Sequence, residues 1–178
     1  MKLNAKQLRI TRPTEEELAK IQRKPIWIVL DNVLDTYNIG SIFRLADAVA
    51  AEAVILCGGS DRPPSSRIHK AAVGTEEWVP WRYFGSASEA IKRLRDEVSG
   101  IKFIAVEQDA RSVQISNFKF RISNSEPVAL VVGHETEGVS KETLDLCDVI
   151  VEIPMWGVNK SLNVVVSTAI ALYNCNFN

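Results

Sequence analysis

The sequence predicts an α/β domain with a mostly parallel sheet flanked by helices, and three observations lead there. Short apolar runs rich in β-formers recur at 26–30, 53–56, 102–106, 128–132 and 149–153. Segments of helical periodicity lie between them, the alternation that builds parallel strands joined by crossover helices. The runs are close to continuously apolar, as strands covered on both faces must be.

Pro13-Thr14 followed by EEELAKIQ reads as a short capped helix with acidic residues in its first turn, and Pro25 punctuates it. After the strand at 26–30 comes the polar turn DNVLDTY and then a helix over 38–50. Its Ile39, Ile42, Phe43, Ala46, Val49 and Ala50 recur as one buried stripe. A further strand is expected within 77–84. Ser86 caps a helix over 86–98, with Glu89 at the capping-box spacing. Shorter helices are expected at 140–147 and 161–174, the latter with Leu162, Val165, Val166, Ala169 and Tyr173 as its apolar stripe. The stretch from Gly58 to Pro64 is the least regular. Two units are expected: 1–25, a short basic helical extension, and 26–178, a single domain.

A chain of 178 residues, 46% hydrophobic and 24% charged, suits one core. No apolar run approaches a membrane span, and the first residues lack the apolar segment of a signal peptide, so a cytoplasmic protein without a membrane partner is expected. Cys57, Cys147, Cys175, His69 and His134 show no metal-ligand spacing, which points to buried reduced thiols, no metal and no disulfide framework. A net charge of -1 gives no global nucleic-acid signature. Residues 1–25, however, hold seven Lys or Arg against three Glu. Such an arm could follow a phosphate backbone or form a solvated surface helix.

In an open α/β sheet ligands bind beyond the carboxyl ends of the strands, and three loops there are unusual. The first enters a helix at Asn38-Ile39-Gly40-Ser41-Ile42-Phe43-Arg44. Asn38 is suited to cap it, Gly40 leaves its first turn accessible, and Arg44 points away from the apolar stripe, free for a ligand or for pairing with Asp47. The second, Gly133-His134-Glu135-Thr136-Glu137-Gly138, puts two carboxylates between glycines directly after VALVV. It is neither a dinucleotide fingerprint nor a P-loop. The third runs from Ile153-Pro154-Met155 through Gly157 to Ser161-Leu162-Asn163-Val164, with Ser161 placed to cap the last helix. Taken singly, each is also an ordinary strand-to-helix turn; together and in this order they are distinctive.

The three segments resemble the three motifs of the SpoU (TrmH-like) RNA 2'-O-ribose methyltransferases of the SPOUT superfamily. The match holds at Asn38, Gly40 and Arg44, at Gly133, Glu135 and Gly138, and across Ile153, Pro154, Met155, Gly157, Ser161, Leu162, Asn163 and Val164. Residues 66–80 look like the family's linker, and Ser167 stands where members often carry alanine. The resemblance implies a C-terminal trefoil knot, S-adenosylmethionine (with S-adenosylhomocysteine as product) as cofactor and a homodimer whose active site takes Arg44 from the second protomer. It implies cofactor contacts at Gly133, Ile153, Met155 and Leu162, and a catalytic group of Arg44, Asn38, Glu135, Ser161 and Asn163. The substrate would be RNA, with tRNA placed ahead of rRNA because the basic arm is the one appended recognition element in view.

Ribose methylation needs the hydroxyl positioned and its developing alkoxide stabilised. A guanidinium stays protonated in proteins, so Arg44 is expected to clamp phosphate and alkoxide rather than act as base, and Glu135 to orient Asn38 or Arg44. Other readings are a non-catalytic RNA-binding protein that kept the fold, a flavodoxin-like nucleotide-binding module, and base rather than ribose methylation. The polar set, the missing phosphate loop and the Arg44 with Ser161-Leu162-Asn163 pattern respectively weigh against them.

Overall fold

A computed structural model of the chain describes residues 11–118, 121–122, 126–174 and 176–177. Thr14 accepts from the Glu17 amide while Glu17 reaches back to Thr14, a complete capping box on helix α1 (Glu15–Ala19), which ends earlier than its polar sequence suggested. Strand β1 (Lys24–Asp31) leads to α2 (Thr36–Ala48), β2 (Ala51–Cys57) and α3 (Ser66–Ala72), then a short 3-10 turn and β3 (Trp81–Phe84). Next come α4 (Ala87–Glu97), β4 (Lys102–Val106), β5 (Val113–Gln114) and β6 (Arg121–Ile122). The chain closes with β7 (Val128–Gly133), α5 (Lys141–Leu144), β8 (Val149–Glu152), α6 (Val164–Asn174) and β9 (Asn176–Phe177). Seven strands form one parallel sheet in the order β3-β2-β1-β7-β4-β8-β5, with β6 and β9 paired separately.

Both sheet faces are covered, which explains the unbroken apolar strands. Along β1, Ile26, Ile28 and Leu30 join the core under α2, α3 and α6 with Ile39, Phe43, Ile68 and Leu172. Val29 turns the other way, into a core with Ile91, Leu94 and Phe103 beneath α4 and α5. Because the strands are parallel, the loops after β1, β7, β4 and β8 all emerge at one edge, and β1 and β7 are direct neighbours, so the first two motif loops lie side by side.

Several local expectations are corrected. Asp35, not Asn38, caps α2: its carboxylate accepts from the Tyr37 amide, and Asn38 sits buried in the first turn. Ala50 lies beyond the helix with φ 52. Gly40 is not open to a ligand; a Cβ there would come within 2.6 Å of the Ile68 carbonyl oxygen and Ala71 Cβ, so glycine allows α2 and α3 to pack closely. That partner, α3, lies in the stretch expected to be a linker. Ser161 does not cap α6; Asn163 does, accepting from the Val165 amide at 2.9 Å. Finally, α6 buries Val164, Thr168, Ala171 and Leu172, while Val166 and Tyr173 of the expected stripe face outward. A helix apolar on most sides offers its sequence no single preferred stripe.

The extension is less free than its charge suggested. Arg12 pairs with Glu77 at 3.0 Å, and Arg23 donates to the carbonyls of Ala51 and Trp78, pinning the approach to β1. Lys2, Lys6 and Arg9 lie outside the described residues. No helix among the described residues is long and apolar enough to cross a membrane.

Candidate active site

The loop after β7 is folded tightly back on itself. His134 and Gly138 exchange both backbone hydrogen bonds, at 3.0 and 2.9 Å, and His134 Nδ1 accepts from the Thr136 and Glu137 amides. A Cβ on Gly133 would lie 2.1 Å from the Gly138 carbonyl carbon, and Gly138 has φ +70, so both glycines are steric requirements of this turn. Glu107, at the end of β4, braces it from outside by accepting from the Val139 amide.

The turn aims Glu135 at the start of α2. Its carboxylate accepts from the Leu34 amide at 3.2 Å, the Asp35 amide at 3.0 Å and Asn38 Nδ2 at 3.0 Å. A carboxylate so engaged only accepts, which fixes the rest of the chain of bonds. Asn38 must turn its amide nitrogen to Glu135, leaving its oxygen to accept from Asn163 Nδ2 at 3.1 Å. The Asn163 oxygen is thereby left for the Val165 amide, the cap of α6. One directional set of hydrogen bonds thus ties together the loops after β1, β7 and β8. Partial burial pushes the Glu135 carboxyl upward, but the bonds from Asn38, Asp35 and Leu34 outweigh it and hold the group below its ordinary value.

Beside this junction lies an open cleft of about 540 Å³, within the ~300–1,000 Å³ typical of cofactor sites. Gly133, Ile153, Met155 and Leu162 line it, as do Glu135, Ser161 and Asn163. Asn38 does not reach the lining but bonds to two residues that do. Ser161 instead joins a local turn, donating from its amide and hydroxyl to Asn159 Oδ1. Arg44 is absent from the lining; it is exposed on α2 and makes no ion pair among the described residues, Asp47 being bonded to Trp78 Nε1 instead. Two lining residues escaped the sequence reading: Glu107 and Gln108, whose side-chain amide donates to the Lys160 carbonyl. Their signal was a polar pair at the end of an apolar strand.

The SpoU rRNA methylase family model matches residues 25–173. The chain belongs to that family. Among relatives, the 23S rRNA (guanosine-2'-O-)-methyltransferase RlmB of Ralstonia nicotianae is 33% identical over 89% of this chain and 61% of its own length. The protein of the same name from Haemophilus influenzae is 32% identical over 89% of this chain and 62% of its own. The chain therefore spans about three-fifths of the length of these curated relatives. The A. aeolicus TrmH/SpoU tRNA modifying enzyme superposes with a TM-score of 0.75 at 26% identity, covering 96% of this chain and 79% of that one. An AdoMet-bound rRNA methyltransferase from Sinorhizobium meliloti gives 0.74 at 28% identity, covering 94% and 58%. As a SpoU family member the chain has the parallel α/β architecture its sequence predicted. The SpoU methyltransferase AviRb from Streptomyces viridochromogenes, which superposes with a TM-score of 0.72 at 26% identity over 90% of this chain and 61% of that one, has been solved in complex with AdoMet.

Two features lie apart from the cleft. Cys57 and Cys147 are held by burial as thiols with pKa pushed up to about 12, and Cys175 lies outside the described residues. His69, Glu76 and Glu77 bring ligand-capable atoms within 4.8 Å of one another, a grouping that a search for His and Cys spacing alone overlooks. There Glu76 accepts or shares a hydrogen bond with His69 at 2.6 Å, and Glu77 pairs with Arg12.

Proposed function

We propose that this protein transfers a methyl group from S-adenosylmethionine to a ribose 2'-hydroxyl of RNA. The observation that carries it is the Glu135-Asn38-Asn163 junction at the wall of the cleft, where residues of all three family motifs converge. The fit to the cofactor rests on the cleft's volume and on its mixed lining: backbone at Gly133, apolar Ile153, Met155 and Leu162, polar Ser161 and Asn163. When bound there, the cofactor supplies an activated methyl group on a sulfonium.

The chain's own residues position the acceptor and steer charge. Glu135 is held ionised with its oxygens occupied by three donors, so it orients Asn38 rather than accepting the ribose proton. Asn38 and Asn163 are locked in one amide orientation, the preorganisation that an in-line displacement requires. Ser161 is the nearby hydroxyl of the third loop. Arg44 is contributed by the partner subunit, as a planar clamp on phosphate and nascent alkoxide. The dimer this needs has a candidate surface on α6 and the residue leading into it, where Leu162 in the preceding loop and Val166, Ile170 and Tyr173 on the helix are 38–62% exposed. The C-terminal trefoil knot and a cytoplasmic location belong to the same proposal, as does the division into a basic extension and a methyltransferase domain.

The RNA is proposed as ribosomal or transfer RNA. Relatives named for 23S rRNA guanosine favour the first; the expectation of tRNA rested on the extension, of which Arg12 and Arg23 are engaged within the fold. Calorimetry with the cofactor, followed by mapping of 2'-O-methyl positions in total RNA with and without the gene, tests the reading. A cofactor complex and one mapped nucleotide that loses its methyl group are expected; normal 2'-O-methylation at every position without the gene would overturn it.

A further inference from the structure

We infer a nucleobase-binding subsite next to the cofactor cleft, joined to it through Glu135. The inference rests on the RNA-methylating reading above and extends it to a place where substrate is held. Leu34, Asp35, Thr36, Tyr37 and Arg67 enclose a shallow depression of about 470 Å³. Leu34 and Tyr37 are 50% and 51% exposed, large apolar surface at the mouth of a polar junction. The two depressions share a wall: Glu135 lines the cofactor cleft, and its carboxylate holds the amides of Leu34 and Asp35. Whatever sits against Leu34 and Tyr37 is therefore registered to the residues that would position the ribose.

The chemistry selects an unstacked base. Tyr37 is fixed at its backbone by the Asp35 cap, yet it leaves an aromatic surface in water, and aromatic faces capture splayed-out bases of RNA with little regard to sequence. Arg67 makes no ion pair among the described residues and completes the depression with a guanidinium suited to an adjoining phosphate. A ribose presented from a loop or bulge brings unstacked bases with it, and its own base or a neighbouring one would find such a resting place here.

The test uses the full chain and total RNA from a strain lacking the gene, with filter binding and methyl incorporation measured in parallel. Tyr37→Ala should weaken RNA binding and raise KM for RNA by ~5- to 150-fold, the range one stacked base contributes. Tyr37→Phe, which keeps the ring, should restore most of it. Arg67→Ala, which removes one phosphate contact, should flatten the slope of log affinity against log salt concentration by about 0.7. Cofactor affinity and sedimentation should stay unchanged in all three. Unaltered RNA binding by Tyr37→Ala would overturn the subsite, as would a shift in oligomeric state, which would make the depression a protein contact. Wild-type protein that binds RNA without transferring methyl would overturn the enzymatic reading alone, since the binding ratios still decide the subsite.

Discussion

The loops after β7 and β8 line the same cleft but are built in opposite ways. From Gly133 to Gly138 the turn is closed by its own bonds, with the amides of His134, Thr136, Glu137 and Gly138 all donating within it and the Glu135 carboxylate engaged by three donors, and no residue but glycine fits at either end. Between Pro154 and Ser161 the apex instead projects Trp156 and Val158, 91% and 101% exposed, and a Cβ on Gly157 would meet nothing within 4 Å. Its anchors lie at its far end, through the Asn159 turn and the Gln108 bond to Lys160. One wall of the site is made rigid by the chain alone, whereas the other is left for ligand, RNA or partner subunit to complete.

The contrast is testable by substitution. On the rigid side the largest effect is expected from Asn38→Ala, which strips Glu135 and Asn163 of their shared partner; turnover should fall about 100- to 1,000-fold, as for loss of a preorganised donor. Cofactor affinity, measured by calorimetry, should change far less. Gly133→Ala forces backbone apart inside a closed turn and should destabilise the fold by about 1–3 kcal/mol, read from denaturant titration, with loss of cofactor binding. On the open side, Trp156→Ala should leave stability within about 0.5 kcal/mol of wild type. Any larger loss would mean that the apex is packed in the assembled protein.

Acid titration sharpens the same comparison with a smaller effect. Because the folded state lowers the Glu135 pKa, its contribution to stability is complete above the ordinary carboxylate value and is lost as pH falls through the lowered one. Glu135→Gln should therefore reduce the stability difference between neutral and acidic solution. In the neutral range Glu135 does not titrate, so the pH-rate profile there should keep its shape in the Gln variant, whatever its amplitude.

The sheet and the cleft lining were legible because continuous apolar strands and specific motif residues leave little choice. Less visible was which of several polar neighbours does the capping: Asp35 and Asn38 both suit the start of α2, and only the presence of Glu135 across the sheet edge decides between them. Similarly, Ser161 and Asn163 both suit α6. Glu107 contributes through a bond to a loop 32 positions away, a relation no local pattern encodes. Gly40 was read as access for a ligand because its packing partner, α3, was not foreseen.

The central claim is that Glu135, Asn38 and Asn163 act as one unit in transfer. A double-mutant cycle on Asn38→Ala and Glu135→Ala, followed by single-turnover methyl incorporation at saturating cofactor, measures this directly. If the unit is real, the double variant should be no slower than the worse single variant within a few fold. Losses that multiply, each substitution exerting its full effect in the absence of the other, would show that the two side chains act independently and contradict the account.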